Sequence, residues 1–196
     1  MWHGVRLGRD LFAALVMIDE DITQRVARDG CPRCRGALHR ADYERKPRGA
    51  LPASAGEAFT RRFSLCCGQR GCRKRTMPPS ARFLGRRVYL EVVVLLGCLW
   101  ALLGDVDAAG VPLRTVRRWL SWWTSVFPFV PTWLELRATF APPPPDVASM
   151  PRSFLERLAA ELGPLDVDRV LVKAAQLLAS VTTQSCANPS RFMRVG

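Results

Sequence analysis

The sequence predicts a mainly α fold that carries one small β/loop segment built on paired cysteines, with a helical domain downstream. Three observations lead there. Apolar residues recur at helical spacing near the start, in the middle and near the end of the chain. Between residues 31 and 84 that period disappears, and Cys, Gly and Pro punctuate the chain instead. The charge is uneven: residues 31–90 hold 15 of the 29 Lys and Arg but only three acids, Asp42, Glu44 and Glu57.

These totals bound the function. A chain of 196 residues can form one ordinary domain or two small ones. A hydrophobic fraction of 48% with 23% charged residues fits a folded protein rather than a disordered one. The net charge of +12 falls wholly on the cysteine-bearing stretch and favours a polyanionic partner, nucleic acid or a membrane surface. Arg outnumbers Lys, and its planar fork suits phosphate. The opening residues have no secretory-signal pattern, so a reducing cytoplasm is the expected compartment. Paired cysteines there point to a metal site rather than to disulfides.

Five segments follow in order. Residues 1–30 form an N-terminal amphipathic helix, predicted over 10–28. Leu11, Leu15, Ile18, Ile22 and Val26 share a face, Asp10 caps the start and Gly30 ends it. Residues 31–84 are a basic β/loop segment, with strands expected over 59–65 and 74–76. Residues 85–127 are a helical domain. Its first helix, 85–103, is strongly apolar, but it is shorter than the roughly 20 residues a membrane span needs and carries Glu91. Cys98 within it reads as an inert core residue. Residues 128–148 hold Pro128, Pro131 and the run from Pro142 to Pro145, and read as an extended linker. Residues 149–196 return to helix. Phe154, Leu155, Leu158 and Leu162 form one stripe, and Leu171, Ala174, Leu178 and Val181 a second.

Two stretches carry chemistry. Cys31-Pro-Arg-Cys34 has the two-residue spacer that lets two cysteines in one tight turn reach one ion. Cys67-Gly-Gln-Arg-Gly-Cys72 is a looser second turn with two glycines. Together they predict a zinc-ribbon-like segment holding one structural Zn²⁺ through Cys31, Cys34, Cys67 and Cys72. Cys66 is a possible substitute for Cys67, and His39 is a further candidate. The arginines around it supply no acid/base partner for a catalytic metal.

The second stretch runs from Gly110 to Leu120. A short helix over 105–109, a turn at Gly110 and a new helix opening at Pro112 make a helix-turn-helix-type domain. Leu113, Val116, Leu120 and Trp123 share one face of that helix, with Trp119 at its edge. Arg114, Arg117, Arg118 and Ser121 share the other. An apolar back and a basic front suit a helix lying in the major groove. Trp119, Trp122 and Trp123 have the spacing of core aromatics, although stacking on bases is open to them.

Cys31-Pro-Arg-Cys34, Phe63 to Cys67, Gly71 to Thr76 and the 110–119 stretch together resemble the zinc-ribbon plus helix-turn-helix DNA-binding region of bacterial transposases and small transposon-associated proteins. The resemblance covers residues 31–125. It implies DNA binding at element ends. It also implies a separate RNase H-like catalytic domain with an acidic triad. Beyond residue 130 this chain has few acids, a polyproline run and short helices, too little for that domain.

The sequence therefore reads as a non-enzymatic, zinc-stabilised DNA-binding protein, mobile-element related, in the cytoplasm and associated with the nucleoid. Arg61, Arg62, Arg73, Lys74, Arg75, Arg86 and Arg87 are the expected phosphate contacts, with Arg114, Thr115, Arg117 and Arg118 facing bases or backbone. A protein adaptor or transcriptional regulator that recruits a transposase or polymerase is the alternative. A homodimer is compatible with either, and no membrane role is expected.

Overall fold

α1 (Arg9–Asp29) spans the helix its apolar period predicts, and Gly30 at φ 77° ends it in the left-handed region. In a computed structural model, the residues described are 9–45, 56–83, 91–102, 111–140, 148–162 and 166–187. The inner face of α1 is turned from the expected stripe. Leu11, Phe12 and Leu15 are buried, but so are Asp19 and Thr23, while Ile18 and Ile22 are half-buried at the flank. The cause lies in a distant segment. Asp19 accepts hydrogen bonds from Ser80 Oγ, from the Ala81 amide and from Arg82 Nε, the last at 2.8 Å. Thr23 donates to the Asp19 carbonyl at 2.7 Å. A carboxylate with three donors can occupy the centre of a buried face that an unpaired one could not.

The segment after α1 builds two small antiparallel sheets. β1 (Leu38–Arg40), β4 (Leu65–Cys67) and β5 (Arg75–Thr76) form a three-stranded sheet in the order β1-β4-β5. Leu38 lies opposite Cys67, and Cys66 opposite both His39 and Arg75. β2 (Tyr43–Glu44) pairs with β3 (Arg61–Arg62). The strand expected over 59–65 is shorter and begins later. Residues Gly56–Thr60 form a helical turn, α2, whose Phe59 ring packs edge-on against Phe12 at 4.4 Å.

The remaining elements are helical. α3 (Glu91–Leu102) packs against α4 (Leu113–Ser125). A 3₁₀ turn (Phe127–Phe129) and α5 (Pro131–Arg137) follow, then α6 (Arg152–Leu162) and α7 (Val167–Ala187). α7 packs on α1, α3, α5 and α6, so residues from both ends of the chain share one apolar core. Leu171, Ala174 and Leu178 are buried on α7, and Phe154, Leu155 and Leu158 on α6, as the spacing predicts.

One expectation fails here. Residues 128–140 are not an extended linker. Pro128 is the second residue of the 3₁₀ turn and Pro131 the first of α5, both within a first turn, where a missing amide hydrogen costs nothing. An aromatic row then fixes the segment. Trp123 meets Phe127 at 4.5 Å, Phe127 meets Trp133 at 4.6 Å, and Trp133 meets Phe154 of α6 at 5.5 Å. Such edge-to-face and tilted contacts add to the burial of four large rings. The polyproline run from Pro142 to Pro145 lies outside the described residues. No helix among the described residues is long and apolar enough to cross a membrane.

Candidate metal centre and basic surface

The two cysteine turns meet at one end of the three-stranded sheet, the first entering β1 and the second leaving β4. Cys31 Sγ lies 3.7 Å from Cys72 Sγ, and Cys34 Sγ lies 3.5 Å from Cys67 Sγ. All four sulfurs fall within 4.8 Å of one another. Four sulfurs each about 2.3 Å from one tetrahedral metal ion stand about 3.8 Å apart, so the cluster has the size of a four-thiolate shell. Cys66 does not join it. Neighbouring strand residues point to opposite faces, and the Cys66 sulfur lies near the Arg73 carbonyl at 3.6 Å instead. His39, opposite Cys66 on β1, lies over Gly68 and also stays outside the cluster.

The backbone is arranged for negative charge on these sulfurs. Cys31 accepts hydrogen bonds from the Arg33 and Cys34 amides. Cys34, Cys67 and Cys72 accept from Gly36, Gln69 and Lys74 respectively. A donor two residues beyond every cysteine is thus common to both turns. The Arg33 amide is the main cause that brings the Cys31 thiol down to about 7. At Cys34 the Gly36 amide favours the thiolate, but the neighbouring Cys67 thiol and desolvation outweigh it and raise the pKa. At Cys67 and Cys72 the amides of Gln69 and Lys74 are likewise outweighed by desolvation and by nearby thiols. Four sulfurs this close cannot all ionise by themselves. A bound cation removes that conflict, and the residues present fit one.

Local sequence explains the shape of each turn. In the first, the Arg35 amide donates to the Cys31 carbonyl at 2.8 Å, and the Cys31 amide donates to Gly36 at 2.9 Å. In the second, the Arg73 amide donates to Gln69 at 3.1 Å, and the Cys67 amide donates to Lys74 at 2.9 Å. Gly36 is required by space. A Cβ there would stand 2.6 Å from Gln69 Cγ and 3.3 and 3.4 Å from the Cys34 and Cys67 sulfurs. The residue after the second cysteine of each turn has a positive φ, 58° at Arg35 and 45° at Arg73. Glycine adopts that conformation freely, whereas an L-residue in it is strained by about 1–2 kcal/mol.

The expected basic contacts divide. Arg73, Lys74 and Arg75 are exposed. Arg61 is exposed too, but it lines a cleft of about 530 Å³ together with Glu20, Asp42, Glu44 and Glu57. Arg62 is a correction. It is only 3% exposed, and its guanidinium donates to the carbonyls of Phe63 and Pro78. Burial lowers its pKa, and it ties the sheet to the 77–83 segment instead of meeting phosphate. Arg86 and Arg87 lie outside the described residues, as does the short helix expected over 105–109.

On α4, Arg114, Arg117, Arg118 and Ser121 are exposed, and Thr115 is half-buried. The buried face is Val116, Trp119, Trp122 and Trp123, so the tryptophans are core residues. Leu113, expected inward, is 39% exposed. The three indoles occupy the interior, which turns the first residue of the helix outward.

Sequence reasoning missed the buried Asp19–Arg82 pair, in which both side chains are fully shielded from solvent. Arg82 also lies over the Phe63 ring at 4.3 Å. The available signal was an acid in the middle of the apolar period of α1. Its partner, 63 residues away, was not marked by any local pattern. Compared with known proteins, the chain matches no family model, no curated protein and no solved structure.

Proposed function

We propose that this chain is a zinc-stabilised DNA-binding protein without a catalytic role, related to mobile elements as its cysteine and helix motifs suggest. Cys31, Cys34, Cys67 and Cys72 would hold the ion. An all-thiolate tetrahedral set favours zinc among common divalent metals, and four protein ligands leave no open position for a substrate. When bound, zinc supplies structural cross-linking.

The observation that carries the DNA reading is the asymmetry of α4. One side is anchored by Val116, Trp119, Trp122 and Trp123, and the other exposes Arg114, Arg117 and Arg118 with no acid anywhere on the helix. A rigidly docked helix with a basic outer face is what major-groove entry requires. A second reading, a protein adaptor, draws on Phe129 and Leu134, which are 74% and 50% exposed beside that helix.

The test is duplex binding by fluorescence anisotropy between low and moderate salt. Affinity should fall steeply with salt. Arg117→Ala with Arg118→Ala should weaken binding by on the order of tenfold while stability stays within about 0.5 kcal/mol of the parent, since both residues are at the surface. Unchanged binding in that variant contradicts the groove assignment. Retention of a protein partner after nuclease treatment, with no affinity for DNA, supports the adaptor.

A further inference from the structure

The two cysteine turns bring together five cations that are scattered in the sequence. Arg33 and Arg35 belong to the first turn, and Arg70, Arg73 and Lys74 to the second. The sulfur contacts at 3.5 and 3.7 Å hold these turns face to face, and all five of these residues are exposed. Neither turn contains Asp or Glu, and a zinc ion held by the four thiolates would carry a net charge of −2, which offsets only part of the five positive charges.

The placement of two of the five is informative. Arg35 and Arg73 occupy equivalent positions, each directly after the second cysteine of its turn, and each at a positive φ that favours glycine. Both turns use glycine elsewhere, at Gly36, Gly68 and Gly71, so small residues are not foreign to them. A strained arginine at both equivalent positions gives the metal site no hydrogen bond that glycine would not also give, because the bonds there come from the backbone amides. Observed strain of this kind points to a task for the side chain.

We propose that the paired turns form a clamp for the sugar-phosphate backbone of duplex DNA, with Arg35 and Arg73 as its two central forks and Arg33, Arg70 and Lys74 around them. The inference rests on the DNA-binding reading above and assigns its non-specific affinity to this surface. Guanidinium forks match phosphate oxygens two at a time. Neither turn carries a Phe, Tyr or Trp, so there is no stacking platform for the splayed bases of a single strand. That absence favours a duplex, whose phosphates are presented with the bases stacked inside. The clamp positions the protein, and base readout is left to another element.

The test uses the full zinc-loaded chain and a variant with Arg35→Gly and Arg73→Gly. Glycine relieves the positive φ, so the variant should fold with unchanged or higher thermal stability and keep its metal. Its affinity for a mixed-sequence duplex should nonetheless fall on the order of tenfold, and the slope of log K against log salt should become shallower by about 2. A second variant, with Arg33, Arg70 and Lys74 each changed to Gln, should lower affinity and slope further. If the parent binds the duplex and the glycine variant binds equally with the same slope, the clamp is wrong while the DNA reading stands. If the parent itself has no affinity for duplex, both fall. Tighter binding to a single strand of the same sequence, lost in the glycine variant, overturns the assignment to a duplex.

Discussion

The cysteine-bearing segment and the helical part of this protein solve the same problem by different means. The helices bury Val94 to Trp100, the α4 tryptophans, Trp133, Phe154 and the inner face of α7 in one apolar core. The two cysteine turns bury little beyond Cys31 and Cys67, and around them stand exposed arginines. Turns with so small a core are held by cross-links or metal, although Phe59, Ala81 and Phe83 of the same segment join the helical core. The difference teaches where each kind of damage should appear. Losing a sulfur should unravel the β segment and spare the helices, whereas losing an aromatic should do the reverse.

The largest effect tests that separation directly. Apparent zinc affinities of structural sites correspond to about 10–16 kcal/mol, so on the proposed zinc reading chelation or Cys67→Ser should remove the main stabilising term of the cysteine turns. Amide exchange should lose protection in β1, β4 and β5 while α3, α4 and α7 remain protected. Simultaneous loss throughout would show that the two regions fold as one unit.

The reverse experiment is Trp133→Ala. Removing a fully packed indole costs about 3–5 kcal/mol. Urea unfolding followed by far-UV circular dichroism should shift by that amount, with zinc retained at the low-denaturant end. An unshifted midpoint would mean that residues 128–140 are not part of the core.

The joint between the regions is Asp19 with Ser80, Ala81 and Arg82. Asp19→Asn leaves the buried Arg82 without its counter-charge and should cost about 3–5 kcal/mol. Changing both partners to apolar residues, Asp19→Leu with Arg82→Met, should recover part of the loss, because neither member of the pair is then a buried charge alone, while the buried Arg62 guanidinium, the Ser80 hydroxyl and the Ala81 amide still lose Asp19. If the double variant is as unstable as the single one, the pair acts through geometry that hydrophobic packing cannot replace.

The smallest effect concerns Gly36. Gly36→Ala puts a Cβ against Gln69 and two sulfurs, and overpacking of this kind costs about 1–3 kcal/mol. It should appear as faster zinc loss to a chelator without loss of helix.

The helices and the four clustering cysteines were legible in the sequence because both are local patterns. Helical period marks α1, α4, α6 and α7, and the spacing of Cys31 and Cys34 marks the first turn. The choice of Cys67 over Cys66 also follows from a local feature, the glycine-containing turn that begins at Cys67. What was not legible depends on contacts across the chain. Arg62 looks like any surface arginine until the 77–83 segment folds over it. The prolines at 128 and 131 suggest an extended linker, because the rings that fold them into helix are supplied by α4 and α6. The turning of α1 toward Asp19 needs Arg82, and the turns that carry Arg33, Arg35, Arg70 and Arg73 come together only when their sulfurs meet.

The central claim is that four particular sulfurs hold one metal ion. Its most direct test is the metal content of the purified chain, measured alongside variants in which Cys31, Cys34, Cys66, Cys67 and Cys72 are changed singly to Ser. One zinc per chain should be found in the parent and in Cys66→Ser, and should be lost or greatly weakened in the other four. Zinc that persists without Cys67 or Cys72, or that disappears with Cys66, would contradict the assignment.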